Sequence, residues 1–171
     1  MLFLQANTTS LFSVSDLQLI APELILTVCA CLALVMEVIL PYRKSKLTAY
    51  FALIGIALAL VSLILQWNTG SVDGFYGMVR IDGLALLFRG IFLISAALAI
   101  GIATRFLDIE GEQHGEYYAL VLFATVGMMF LACGYDLITL YISLELMALT
   151  FYVLVAFTKR EKKSNEAAMK Y

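Results

Sequence analysis

The sequence predicts an all-α integral membrane protein with about five transmembrane helices. Three observations carry that prediction. Of the 171 residues, 63% are apolar and 14% charged, against about 45–50% and about 25% in soluble domains. Mean hydropathy is +0.94. The apolar residues stand in runs long enough to cross about 30 Å of hydrocarbon at about 1.5 Å per residue. None of these runs shows the period-two alternation of membrane β-barrel strands. These properties exclude a soluble enzyme, a nucleic-acid binder and a disordered linker.

The chain opens with a short outer leader, residues 1–16, that contains no Lys or Arg. A secretory signal needs a positive segment there, so the first span is expected to stay in the mature protein. The transmembrane region is expected over 17–158. Its spans are Leu17–Leu40, Leu47–Gln66, Leu84–Ala103, Tyr117–Cys133 and Leu137–Thr158. Between the second and third, Asn68–Gly83 carries turn residues and reads as a small hairpin over the outer face. Gly134-Tyr135-Asp136 separates the last two spans and predicts a tight helical hairpin. Asp108–Glu116, with His114, reads as a solvated acidic loop. Residues 159–171 form a basic tail.

Charge placement orients the spans. Arg43, Lys44, Lys46, Arg105, Lys159, Arg160, Lys162, Lys163 and Lys170 all fall on one side if there are five spans. The other side has Arg80, with Arg89 just inside the third span. This bias places the N-terminus outside and the C-terminus in the cytoplasm. Cys29 and Cys31 lie about 200° apart on a helix and Cys133 lies in another span, which reads as packing rather than as a metal site or disulfide.

Ionisable residues within spans are costly unless paired or hydrated, so they are the candidates for chemistry. Glu23 follows Pro22 near the start of the first span, where the helix dipole favours a carboxylate. Glu37 lies near Arg43 and Lys44 and reads as one half of a surface ion pair. Arg89 reads as a snorkelling side chain, with Asp82 as its candidate partner. Glu145 sits deeper, some 12 Å from the outer end of the fifth span by helical rise. Tyr141 and Tyr152 fall about 40° and about 20° from it on the helical wheel and form one stripe with it. Burial favours a neutral carboxyl and a nearby cation favours the charged form, so a mid-membrane glutamate with a movable cation can load and release protons. The alternative is a neutral, hydrogen-bonded packing residue. The chain offers no evident cationic partner for it; Arg89, which starts from the outer side, is the candidate. No phosphate loop, Cys/His ligand set or nucleophile–base spacing is present, so neither a cofactor nor a metal site is expected in this chain.

The stretch Leu144-Glu145-Leu146-Met147-Ala148-Leu149, then Tyr152-Val153-Leu154, the basic turn Lys159–Lys163 and Ser164-Asn165-Glu166-Ala167-Ala168-Met169-Lys170-Tyr171 resemble subunit N of proton-pumping NADH–quinone oxidoreductase (respiratory complex I). Ala21-Pro22-Glu23-Leu24 and Asp82-Gly83-Leu84-Ala85 are similar to that subunit's first and third helices. Leu144 stands where the sister subunits L and M have Trp before the glutamate. The resemblance covers the N-terminal portion of an antiporter-like subunit and implies that the tail leads into a missing sixth helix at Tyr171.

By the same resemblance, Glu145 matches the glutamate that the family pairs with a lysine on a later helix to relay protons. It further implies a membrane-arm subunit that contributes to proton translocation coupled to quinone reduction. Such a subunit carries no redox chemistry itself: NADH, flavin, iron–sulfur and quinone sites are expected on other subunits. Expected partners are other complex I membrane subunits and the lipid bilayer, with no nucleic acid. The expected location is the bacterial inner membrane rather than an organellar or thylakoid membrane. Two other readings stay open: a structural or assembly segment without transport, and a subunit of an Mrp-type cation/proton antiporter.

Overall fold

The computed structural model describes residues 14–39, 45–67, 70–110, 115–157 and 170. Six helices and one small hairpin follow in chain order: α1 (Val14–Leu19), α2 (Ala21–Ile39), α3 (Ser45–Leu65), β1 (Val72–Gly74), β2 (Val79–Ile81), α4 (Gly83–Glu110), α5 (Glu116–Cys133) and α6 (Leu137–Val155). Among the described residues, five helices, α2 to α6, are long and apolar enough to span a membrane. The proposed contact of Glu37 with Arg43 and Lys44, and most of the leader, the acidic loop around His114 and the basic tail, lie outside the described residues.

The first apolar run is broken at Ile20 into α1 and α2. Pro22 explains the break, because it has no N–H to give to the carbonyl of Gln18 and its ring crowds that carbonyl. The freed carbonyls are used elsewhere. Gln66 Nε2 donates to Gln18 O at 2.7 Å, and Arg89 Nη2 donates to Leu19 O at 3.3 Å. Helical bonding resumes with Leu24 N donating to Ile20 O at 3.0 Å. At the other end of the bundle, α4 continues past Ala103 to Glu110. A helix of 28 residues is about 42 Å long, more than the hydrocarbon needs. A formed helix extends through polar residues once its backbone bonds are in place.

The loop after α3 forms an antiparallel hairpin, with Val72 opposite Ile81, Asp73 opposite Arg80 and Gly74 opposite Val79. It is not merely exposed: Val79 and Ile81 are buried and Gly74 lies against the Leu19 side chain. Its tip turns through positive φ at Phe75, Tyr76 and Gly77. Tyr135 N donates to Met78 O at 2.9 Å, and the Arg80 guanidinium lies 3.9 Å from the centre of the Tyr135 ring. The hairpin is thereby pinned to the corner between α5 and α6.

Helix α5 is the centre of the bundle, packed against α2, α3, α4 and α6. Of its apolar window 56% is buried, against 11% for α6, which makes α6 the open edge. Gly134–Asp136 join these two helices, and the Asp136 carboxylate accepts from Ile138 N at 3.1 Å to cap α6. Gly127 lets the two backbones approach closely. A Cβ there would lie 2.9 Å from Met147 N and 3.0 Å from Ser143 O. Close backbone approach at small residues is a general way for helices to associate in lipid, where burial from water supplies no drive.

Two expectations follow. Gly127→Ala should destabilise the α5–α6 pair by about 1–3 kcal/mol, because the obstructing atoms are backbone. Gly101→Ala, where nothing lies within 4 Å of the added Cβ, should raise stability slightly, because Ala is favoured over Gly in a helix interior by up to about 1 kcal/mol. Thermal unfolding of the detergent-solubilised protein separates the two, and equal melting temperatures would refute the close-approach argument. The second concerns Asp73, whose carboxyl is held below its usual range by its hydrogen bonds to Arg80, through Nε to Oδ1 at 2.6 Å and Nη2 to Oδ2 at 2.9 Å. A depressed carboxylate stabilises above its unfolded pKa and loses that contribution as pH falls through the folded value. Amide exchange in β1 and β2 should therefore be flat near neutral pH and rise, relative to the intrinsic rate, only on acidification below about pH 4. Asp73→Asn should abolish that rise.

Candidate functional site

Ionisable residues lie at three places within the spans, and the structure puts two of these in opposite surroundings. The first joins Glu23, two residues into α2, with Arg89, six residues into α4. Arg89 Nη2 lies 2.5 Å from Glu23 Oε1, and both side chains are 0% exposed. The same nitrogen reaches Leu19 O at the break before α2 and Cys133 Sγ at 3.6 Å, on the last residue of α5. Arg89 therefore ties α1, α2 and α5 to α4 through one guanidinium.

This arrangement corrects the sequence expectations for Arg89. It does not snorkel to the surface and Asp82 is not its partner. Asp82 instead caps α4, its Oδ1 accepting from Ala85 N at 2.7 Å. Nor is Arg89 available to Glu145. A snorkelling route would hydrate the guanidinium, but here a carboxylate of opposite sign lies within reach inside the bundle. Sequence reasoning missed the pair, although a signal was present. Glu23 and Arg89 are opposite charges in two spans that enter from the same side, at similar depth, and intramembrane charges generally pair with one another.

The second centre is Glu145, in the middle of α6. The face that α6 turns to α5 carries buried Ser143 and Thr150, whose hydroxyls donate to Thr139 O at 2.5 Å and Leu146 O at 2.9 Å. Glu145 lies about 200° from Ser143 and so points the other way. It is exposed, as are Tyr141 and Tyr152. These three residues share the open face of α6. Glu145 makes no hydrogen bond or ion pair with any described residue.

Glu37 is partly buried on α2. Its carboxylate lies against Gly115, which precedes α5, and near the buried hydroxyl of Thr48. The start of a helix is a favourable place for negative charge. Cys29 is buried against Gly55, Cys31 is exposed and Cys133 is buried beside Arg89.

The buried pair should show the asymmetry expected of ions shielded from bulk solvent. Arg89→Met alone strands a buried carboxylate and should cost about 3–5 kcal/mol, whereas Glu23→Leu with Arg89→Met should recover most of that loss. Melting temperatures of the single and double variants measure the coupling. Additive losses would refute the pairing.

Residues 134–171 match the family model described as NADH:quinone oxidoreductase/Mrp antiporter, transmembrane. NADH-quinone oxidoreductase subunit N 1 from Koribacter versatilis is 44% identical over 171 residues, covering 95% of this chain and 34% of that protein. Subunit N from Trichlorobacter lovleyi is 40% identical over 165 residues, covering 96% and 34%. Among solved structures, a chain of respiratory complex I from Thermus thermophilus superposes with a TM-score of 0.72 at 30% identity, over 88% of this chain and 32% of that one. The chain spans about a third of the length of the curated relatives it matches. Nearly the whole chain is therefore homologous to the N-terminal portion of NADH-quinone oxidoreductase subunit N, about a third of that protein.

Proposed function

We propose that this chain serves as the N-terminal portion of a membrane-arm subunit of NADH–quinone oxidoreductase and contributes to proton translocation coupled to quinone reduction. Glu145 is the proton-relay carboxylate. The observation that carries this reading is its placement: a lone carboxylate midway along an apolar helix, turned away from α5 and exposed on the open face. An ionised carboxylate does not rest in hydrocarbon, so that face requires a polar or cationic neighbour from beyond the described residues. The family resemblance supplies one, a lysine on a later helix. Tyr141 and Tyr152 lie on the same face and are proposed as polar neighbours of the carboxylate.

In this reading the subunit takes no electrons. Quinone reduction elsewhere in the assembly moves the cation relative to Glu145. When the cation withdraws, the carboxylate takes up a proton from the water path on one side. When it returns, the carboxylate releases the proton to the other. NADH, flavin, iron–sulfur clusters and quinone belong to other subunits, and other membrane subunits of the complex are the partners. The basic loops face the cytoplasm, the N-terminus lies outside, and the membrane is the bacterial inner membrane.

Glu145→Gln, which keeps size and hydrogen bonding but removes the titration, should lower protons moved per NADH oxidised while leaving assembly intact. The assay is proton uptake by vesicles containing the complete complex, with assembly read from native gels. Normal pumping with normal assembly would overturn the relay role. Tyr141→Phe and Tyr152→Phe should have smaller effects than Glu145→Gln, because they remove hydroxyls and not the titrating group.

A further inference from the structure

The Glu23–Arg89 pair does not satisfy its own polar atoms. A guanidinium has five N–H donors, and the contacts to Glu23, Leu19 and Cys133 all fall on Nη2. Arg89 Nε and Nη1 and Glu23 Oε2 are buried and have no hydrogen-bond partner among the described residues. Leaving several ionic hydrogen-bonding atoms dry would cost more than the pair returns.

The chemistry of the leftover atoms selects what they bind. An anion that accepts from Nε and Nη1 meets the Glu23 carboxylate, and a cation drawn to Oε2 meets the guanidinium. A small neutral molecule that accepts on one side and donates on the other suits both. Water fits, and buried water characteristically bridges such groups with about three hydrogen bonds.

We infer that the Glu23–Arg89 cluster is a built water site, in which water accepts from Arg89 Nε or Nη1 and donates to Glu23 Oε2. Its surroundings are the Leu19 carbonyl from the break before α2 and the Cys133 thiol from the end of α5. The site lies at the end of the bundle covered by the hairpin, far along the chain from Glu145, and does not depend on the relay reading. It gives the structural ion pair a hydrated contact that a dry clamp lacks.

The test uses the assembled complex in its membrane. Brief X-ray radiolysis in ¹⁸O-water generates hydroxyl radicals from bound water, and sulfur beside such water is oxidised with ¹⁸O. Cys133 is 2% exposed, so without bound water beside it the thiol should stay unlabelled. The water site predicts labelling of Cys133 that falls several-fold when Glu23→Leu and Arg89→Met together remove the water's partners. Cys133 labelling that is absent, or unchanged in the double variant, would overturn the proposal. A density map fine enough to show ordered water gives a second readout that needs no variant. A peak within hydrogen-bonding distance of both Arg89 and Glu23 Oε2 is expected. Its absence, where other buried waters are visible, would count equally against the site.

Discussion

A guanidinium buried inside a helical bundle constrains everything within its reach. Arg89 cannot lose its charge and cannot be left unpaired in a medium with no water to spare. Its position requires Glu23 on α2, and Glu23 is available because Pro22 breaks the helix just before it. The same break releases the Leu19 carbonyl, which Arg89 also takes. The proline, the carboxylate and the arginine therefore act as one unit. Changing the helix break alters the acceptors around the cation, and removing the cation strands a carboxylate and a carbonyl together. The hairpin belongs to the same end of the bundle. Its Gly74 rests on Leu19, and β2 is tied to the α5–α6 corner.

Away from that clamp the bundle is graded from closed to open. Helix α5 is surrounded, and α6 is held to it by a close approach at Gly127 and by small hydroxyl residues that bond to their own backbone. The opposite side of α6 is apolar, exposed and carries Glu145. Such a face is incomplete by the standards of a membrane protein, since its carboxylate has no cation partner among the described residues. The relatives are about three times as long as this chain.

The helical architecture was legible because the apolar runs are long and interrupted by charge and turn residues. The break at Ile20 was not, because the hydropathy of the first run is continuous and only Pro22 marks the kink. The extension of α4 past Ala103 was hidden by the opposite effect: charge ends a hydrophobic window without ending a helix. At the candidate sites, depth singled out Glu145, which lies midway along α6, as a residue that neither helix end could serve. Depth misled for Arg89. Being near an end suggested escape to the surface, whereas the structure offers an internal carboxylate. Which of two routes a charge takes depends on what the neighbouring helix presents at that level, and that is a tertiary property.

The two glutamates illustrate why the proposed relay carboxylate and a structural one need different partners. Glu23 faces an arginine that is held in place by three contacts. With its partner fixed, the field at Glu23 does not change, and a constant field cannot drive a cycle. Glu145 has no such partner within the described chain. A cation that moves from about 4 Å to about 8 Å changes the attraction by about 2 kcal/mol at an effective dielectric near 20. That is more than a tenfold change in proton binding. A carboxylate with no cation partner among the described residues is the one that the proposed relay can use, and it lies on the exposed face of α6.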